Sequence, residues 1–167
     1  MFEINETVVH PNAGICKICD IKFERFKTVC DKYYVLSPLY STVETKIYVP
    51  VSGNKITLRY PLSKEELIFA LENSLKIADQ WIDNDKLRAE KFNSILKEKE
   101  PSSIIEMICE LHQKRNEREK AGRKLRSNDE RILSEAEKLV NREFAFVLDI
   151  SPDDVPGFIM KKLNISD

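Results

Sequence analysis

Glycine is scarce, with four in 167 residues. A backbone cradle for phosphates needs several in one loop, and neither a Gly-rich phosphate loop nor a G-x-S-x-G elbow occurs. H-E-x-x-H is missing too, and the two histidines, His10 and His112, stand far apart. Carboxylates are plentiful, but they fall on amphipathic stretches where a solvated surface accounts for them. No catalytic residue, metal ligand or cofactor is therefore expected. No apolar run approaches the roughly 18 residues that span a bilayer. The opening MFEINETVVH lacks the basic start and apolar core of a signal peptide, so a cytoplasmic protein without a membrane partner is expected. A formal net charge of −1 excludes a global basic field as an argument for nucleic acid. Any such argument rests on local asymmetry.

Four cysteines are present: Cys16, Cys19, Cys30 and Cys109. The C-x-x-C of Cys16 and Cys19 invites a zinc or redox reading. It falls inside an expected strand, where residues three apart point to opposite faces. No second pair completes four ligands. Reduced, mostly buried structural cysteines are the expectation.

What is present divides in two. Residues 6–10, 15–23, 32–39 and 45–51 read as strands, with turn chemistry at Pro11-Asn12-Ala13-Gly14. In the fourth, Thr45, Ile47, Val49 and Val51 fall on one face, and Pro50 marks a strand end or sheet edge. Ser52-Gly53-Asn54 turns into residues 55–60, a possible fifth strand. At Pro61-Leu62 the period changes to that of helices. Ser63 and Glu66 form a capping box, and Ser74 is a possible restart of a helix through Ile77, Ala78 and Trp81. Residues 86–99 read as a helix. Pro101 opens a longer one with an apolar stripe of Ile104, Ile105, Ile108, Leu111 and His112, ending near Gly122. Ser127 to Glu130 reads as a second capping box, and Ser151-Pro152 as the start of a short last helix. The fold class is α+β. A small SH3- or Tudor-like β-barrel (1–62) precedes an all-α helical domain (63–167).

Trp81 is the only tryptophan and sits among Asp, Asn, Lys and Arg. A large aromatic in such company either plugs a seam or touches a partner. Seven cations lie between Lys114 and Arg126 (Lys114, Arg115, Arg118, Lys120, Arg123, Lys124, Arg126), opposed only by Glu117 and Glu119. Alone this is a solvated helix surface. Beside Lys86, Arg88, Lys91 and Trp81 it becomes a candidate nucleic-acid patch.

Two stretches carry a resemblance. The opening FEINETVVHPNAGICKICDI has a hydrophobic start at Phe2, then Thr7-Val8-Val9, His10, Pro11 and Gly14. Ile47-Tyr48-Val49-Pro50-Val51 supplies a V-P segment, and Leu58-Arg59 a following arginine. With the lone Trp81 and a basic helix behind it, residues 1–148 resemble the CarD/CdnL-type bacterial transcription regulators. The resemblance implies a Tudor-like domain that binds the RNA polymerase β subunit. Arg25, Lys46, Tyr48 and Pro50 are the contact residues expected there. It also implies a helical domain whose tryptophan wedges into promoter DNA at the upstream edge of the melted bubble and stabilises the open complex. Trp81 and the cations Lys86, Arg88, Lys114, Arg115, Arg118 and Arg123 are the DNA-binding residues expected. Such a wedge unstacks a base step while phosphate contacts hold the register, so binding is largely independent of sequence. A monomer, nucleoid-associated through polymerase, is expected.

The chain departs from the family pattern in two places. Tyr48 stands where a basic residue often precedes V-P, with Lys46 two residues earlier. Ile82-Asp83-Asn84-Asp85 follows the tryptophan where a more basic segment is usual. Three functions stay open: a polymerase- and DNA-binding regulator, a polymerase-binding adaptor whose Trp81 is core, and, least favoured, an enzyme.

Overall fold

The computed structural model describes residues 1–26, 29–52, 56–77 and 81–164, with backbone alone at 26, 29–30 and 75–77. The chain forms two compact units, Met1–Pro61 and Leu62–Asp167. Of the elements expected above, Gly53, Asn54, Ala78 and the Cys30 side chain lie outside the described residues.

The first unit is a curled antiparallel half-barrel of the Tudor-like kind, in the order β1-β2-β3-β4. Its strands are β1 (Thr7–His10), β2 (Gly14–Phe26), β3 (Val29–Pro38) and β4 (Ile47–Pro50). The turn from β1 to β2 is clamped by one side chain, since His10 Nδ1 accepts from the Asn12 and Ala13 N–H groups, both at 3.1 Å. Gly14 closes it at φ 71°, a left-handed conformation that suits glycine. The pairing of β2 with β3 slips between Ile18 and Asp20, so Cys19 sits on a bulge, which bends the strand. Val8, Cys16, Ile18, Tyr34, Leu36 and Val49 form the core, packed by Phe2, Ile21, Ile47, Val51, Ile56 and Leu58. Phe2 fixes the opening segment. Its N–H donates to the Tyr34 hydroxyl (3.0 Å) and its ring meets those of Tyr34 and Tyr60 edge-on.

The fifth strand expected at 55–60 is absent from the described residues 56–60. Only Arg59 pairs, as a single bridge to Val9, with N···O distances of 2.8 and 3.4 Å. Pro61 follows it without an N–H to continue a ladder.

The second unit comprises α1 (Lys64–Ile77), α2 (Asp85–Glu98), α3 (Pro101–Lys120), α4 (Ser127–Leu148) and α5 (Val155–Lys162). The box at Ser63 is formed. Ser63 N–H donates to Glu66 Oε2 at 2.7 Å and Glu66 N–H to Ser63 Oγ at 3.1 Å. Those bonds hold the Glu66 carboxyl below the usual range. Seven of the nine residues from Ile104 to His112 are buried, so this part of α3 packs on α1, α2 and α4, while the charged residues from Lys114 onward are half-buried or exposed. Gly122 ends it at φ 70°, with Arg123 N–H reaching back to the Arg118 carbonyl at 2.8 Å. Against the expectation, α1 runs unbroken through Ser74, whose hydroxyl donates to the Leu71 carbonyl (2.6 Å) and starts no new helix. The box at Ser127 is also not formed. Arg126 takes the cap position without a side-chain bond, because Asp129 and Glu130 are drawn into tertiary ion pairs.

Of the three cysteines described, Cys16 and Cys109 are buried, while Cys19, on the bulge, is exposed. Cys19 thus departs from the buried expectation. Burial pushes the thiols of Cys16 and Cys109 up to about 11. Native alkylation at pH 8, read by mass spectrometry, is therefore expected to modify Cys19 and spare Cys16 and Cys109 until denaturant is added. Modification of Cys16 as fast as Cys19 would contradict the strand's facing.

Candidate functional site

Asn84 begins the construction of the site. Its side chain accepts from the Lys86 and Leu87 N–H groups at 3.1 Å, which starts α2 at Asp85 and leaves Trp81 to Asp83 in the preceding connection. Trp81 is thus not helical, contrary to the expectation. It is neither core nor free, being half-buried. One ring edge approaches buried Phe92, with centroids 6.5 Å apart at 61°. Two cations lie over the ring: the Arg88 guanidinium carbon at 4.4 Å from the centroid and Lys114 Nζ at 5.2 Å.

Arg88 is 2% exposed, as is Asp129 on α4. The two pair as a fork, with Nε to Oδ1 at 3.1 Å and Nη2 to Oδ2 at 2.8 Å. Nη2 also donates to Asp85 (2.7 Å), and Nη1 to the carbonyls of Ile82 (2.7 Å) and Asp83 (3.4 Å). A buried charge costs several kcal/mol of desolvation unless its donors are met in this way. Asp85 in turn pairs with Arg126. The result is a cleft of about 160 Å³ with Trp81 on its wall, among Asp83, Lys114, Arg118 and Arg126.

The remaining cations differ in their freedom. Lys86 and Arg123 are exposed. Lys114 pairs with Glu117 at 2.9 Å, Arg115 with Glu130, and Arg118 Nε donates to the Lys124 carbonyl at 2.8 Å. Lys91 lies 3.7 Å from Glu110, whose carboxyl burial pushes up. One expectation is corrected here. Arg88 is enclosed, its guanidinium engaged within the protein, and it offers nothing to a phosphate.

In the first unit, β1 is bridged on its outer side by Arg59, whereas β4 pairs with β3 alone among the described strands. Strand alternation and register put Tyr48 and Pro50 on one face with Lys22, Tyr33 and Val35. Lys22 Nζ lies 5.5 Å from the Tyr48 ring centroid and 2.7 Å from Glu24.

Residues 2–62 match the family model described as CarD-like/TRCF RID domain. They form a CarD-like RNA-polymerase-interacting domain. This assigns the unit to RNA polymerase interaction and transcription regulation. No curated protein matches the chain. Among the described residues no helix is long and apolar enough to cross a membrane, and no cluster of His, Cys, Asp or Glu could hold a metal ion. Within the CarD-like domain, Lys46 is exposed just before β4, and Tyr48 and Pro50 are half-buried on it. Arg25, also exposed, lies near the far end of the β2–β3 hairpin and by alternation on the opposite face from Tyr48. Lys46, Tyr48 and Pro50 share one short segment, and Arg25 is not brought to it.

Sequence reasoning missed Asp129 and Asp85. Asp129 looked like a capping residue, and its partner is 41 positions away, so no local spacing signals the pair. Asp129→Ala is expected to cost about 3–5 kcal/mol in urea unfolding, because it strands a buried cation. The double replacement Arg88→Met with Asp129→Leu is expected to recover most of that loss. A double variant as unstable as the single one would show that the cation itself, and not its pairing, supports the fold.

Proposed function

We propose that this chain is a non-enzymatic bacterial transcription regulator. It binds the RNA polymerase β subunit through its CarD-like domain and stabilises the promoter open complex through DNA contacts of its helical unit. The observation that carries the DNA half is the setting of Trp81. The only tryptophan lies outside the core, half-buried in a connection and flanked by cations. An aromatic held at a surface among cations suits a wedge at the upstream edge of a bubble, where the DNA is already distorted and unstacking costs least. Lys86, Lys114, Arg118 and Arg123 are the phosphate contacts in this reading, with Arg115 joining them on release from Glu130. Lys46, Tyr48 and Pro50 face the polymerase along the β4 edge, a place where another chain's strand or side chains can dock. Such a protein works in the cytoplasm, as a monomer associated with the nucleoid through polymerase.

One observation favours a second reading. Lys114, Arg115 and Arg126 each already face a carboxylate, and Asp83 and Asp85 line the same cleft as the ring. A polymerase-binding adaptor with no DNA contact would carry such a neutralised surface.

The deciding measurement is a pair on Trp81→Ala: thermal melting and open-complex lifetime with purified polymerase. The proposal expects a lifetime shortened at unchanged polymerase capture. It also expects a stability loss smaller than the roughly 3–5 kcal/mol of a truncated core aromatic. A wild-type lifetime would favour the adaptor. Arg123→Ala is expected to weaken DNA binding about equally on unrelated sequences and to lower the salt slope by about 1. A change in preferred sequence at constant slope would contradict phosphate contact.

A further inference from the structure

We infer that Arg88 is a positioning residue for Trp81, locked by Asp129 and acting on the ring from beneath the surface. The inference rests on the proposed role of Trp81, although its spectroscopic half stands without it. A buried arginine that served only to join α2 to α4 would need Asp129 alone. Here the guanidinium donates to Asp85 in the first turn of α2 as well (2.7 Å), and it does three further things at once. One edge forks onto Asp129, which is as buried as Arg88 itself. Nη1 holds the carbonyls of Ile82 and Asp83, the two residues that follow the tryptophan. Its central carbon lies 4.4 Å from the indole centroid. The backbone beyond the ring is thus fixed to this cation, which also lies against the ring, beside Lys114 and Phe92, and which the core of the helical unit holds in turn.

This arrangement removes rotamer freedom from Trp81 before any partner arrives. A free surface tryptophan would lose that freedom on binding, at a cost of about 0.5–1.5 kcal/mol per immobilised side chain. Lysine cannot substitute. Its ammonium has three donors on a flexible stem, and it lacks the planar fork that meets two carboxylates, two carbonyls and a ring together.

The test is Arg88→Lys in the full chain, with Trp81 emission as the direct reading because no other tryptophan contributes. The expected result is a red-shifted, more readily quenched and less anisotropic emission with helix content and polymerase capture unchanged. The open-complex lifetime falls toward that of Trp81→Ala. In a Trp81→Ala background, Arg88→Lys is expected to shorten the lifetime no further. If Arg88→Lys does not fold, the Arg88→Met/Asp129→Leu protein removes the same contacts from an apolar-filled site and is read in the same way. Wild-type emission and quenching in a folded variant would overturn the inference. So would a lifetime loss that adds in full to that of Trp81→Ala, since Arg88 would then act through the fold at large. A Trp81→Ala lifetime equal to wild type would instead remove the DNA reading, leaving the emission to decide the positioning.

Discussion

A single buried guanidinium sets the form of the helical unit's site. Arg88 is almost without solvent, so each of its donors must find an acceptor inside the protein or the unit loses several kcal/mol. The acceptors come from three places: Asp129 on α4, Asp85 in the first turn of α2, and the carbonyls after Trp81. Meeting them all brings α2, α4 and the 81–83 connection to one point. The tryptophan's half-burial is a consequence. Its ring rests on Phe92 and the guanidinium, and what remains of it looks toward a cleft of mixed charge.

The CarD-like domain solves a different problem. A four-stranded sheet in a unit as small as Met1–Pro61 has two edges and little core, and each edge must be managed. The edge of β1 is bridged by Arg59, two residues before the unit ends. The bulge at Cys19 bends β2 so that the sheet wraps Ile18, Tyr34, Leu36 and Val49. The edge of β4 is left with Lys46 before it and Pro50 closing it, a cation and an imide that discourage pairing with other copies of the chain. An edge kept short and guarded in this way still suits a chosen partner.

Much of this architecture was legible along the chain, and the reason is locality. The alternation at Ile47, Val49 and Val51, the Ser63–Glu66 box and the apolar stripe from Ile104 to His112 depend on neighbours two to four residues away. Backbone geometry makes such neighbours into a strand face, a cap or a helix stripe. The opening motif of the CarD-like domain belongs to the same class, since Pro11 and Gly14 shape a turn within five residues of each other. Trp81 could be singled out because it is unique and stands in polar company.

What tertiary structure alone decided is how those residues are used. The S-x-x-E pattern at Ser127 has every local mark of a cap, yet Asp129 and Glu130 turn away to Arg88 and Arg115. Their competing partners are distant in sequence, and a buried or tertiary ion pair outweighs the ~1 kcal/mol of a cap. The cations of the 114–126 stretch read alike in sequence, but folding left Arg123 exposed and paired Arg115. Arg88, with its charge and length like the others, was enclosed. Burial is a property of the packed chain, and long-range pairing is set by which helices meet. The sequence by itself determined most of the elements, the succession of a β and an α unit, and the identity of the one tryptophan. The packing of α2 against α4 decided which cation would be buried beneath it, because that contact brings Asp129 to complete the acceptors a guanidinium needs away from water.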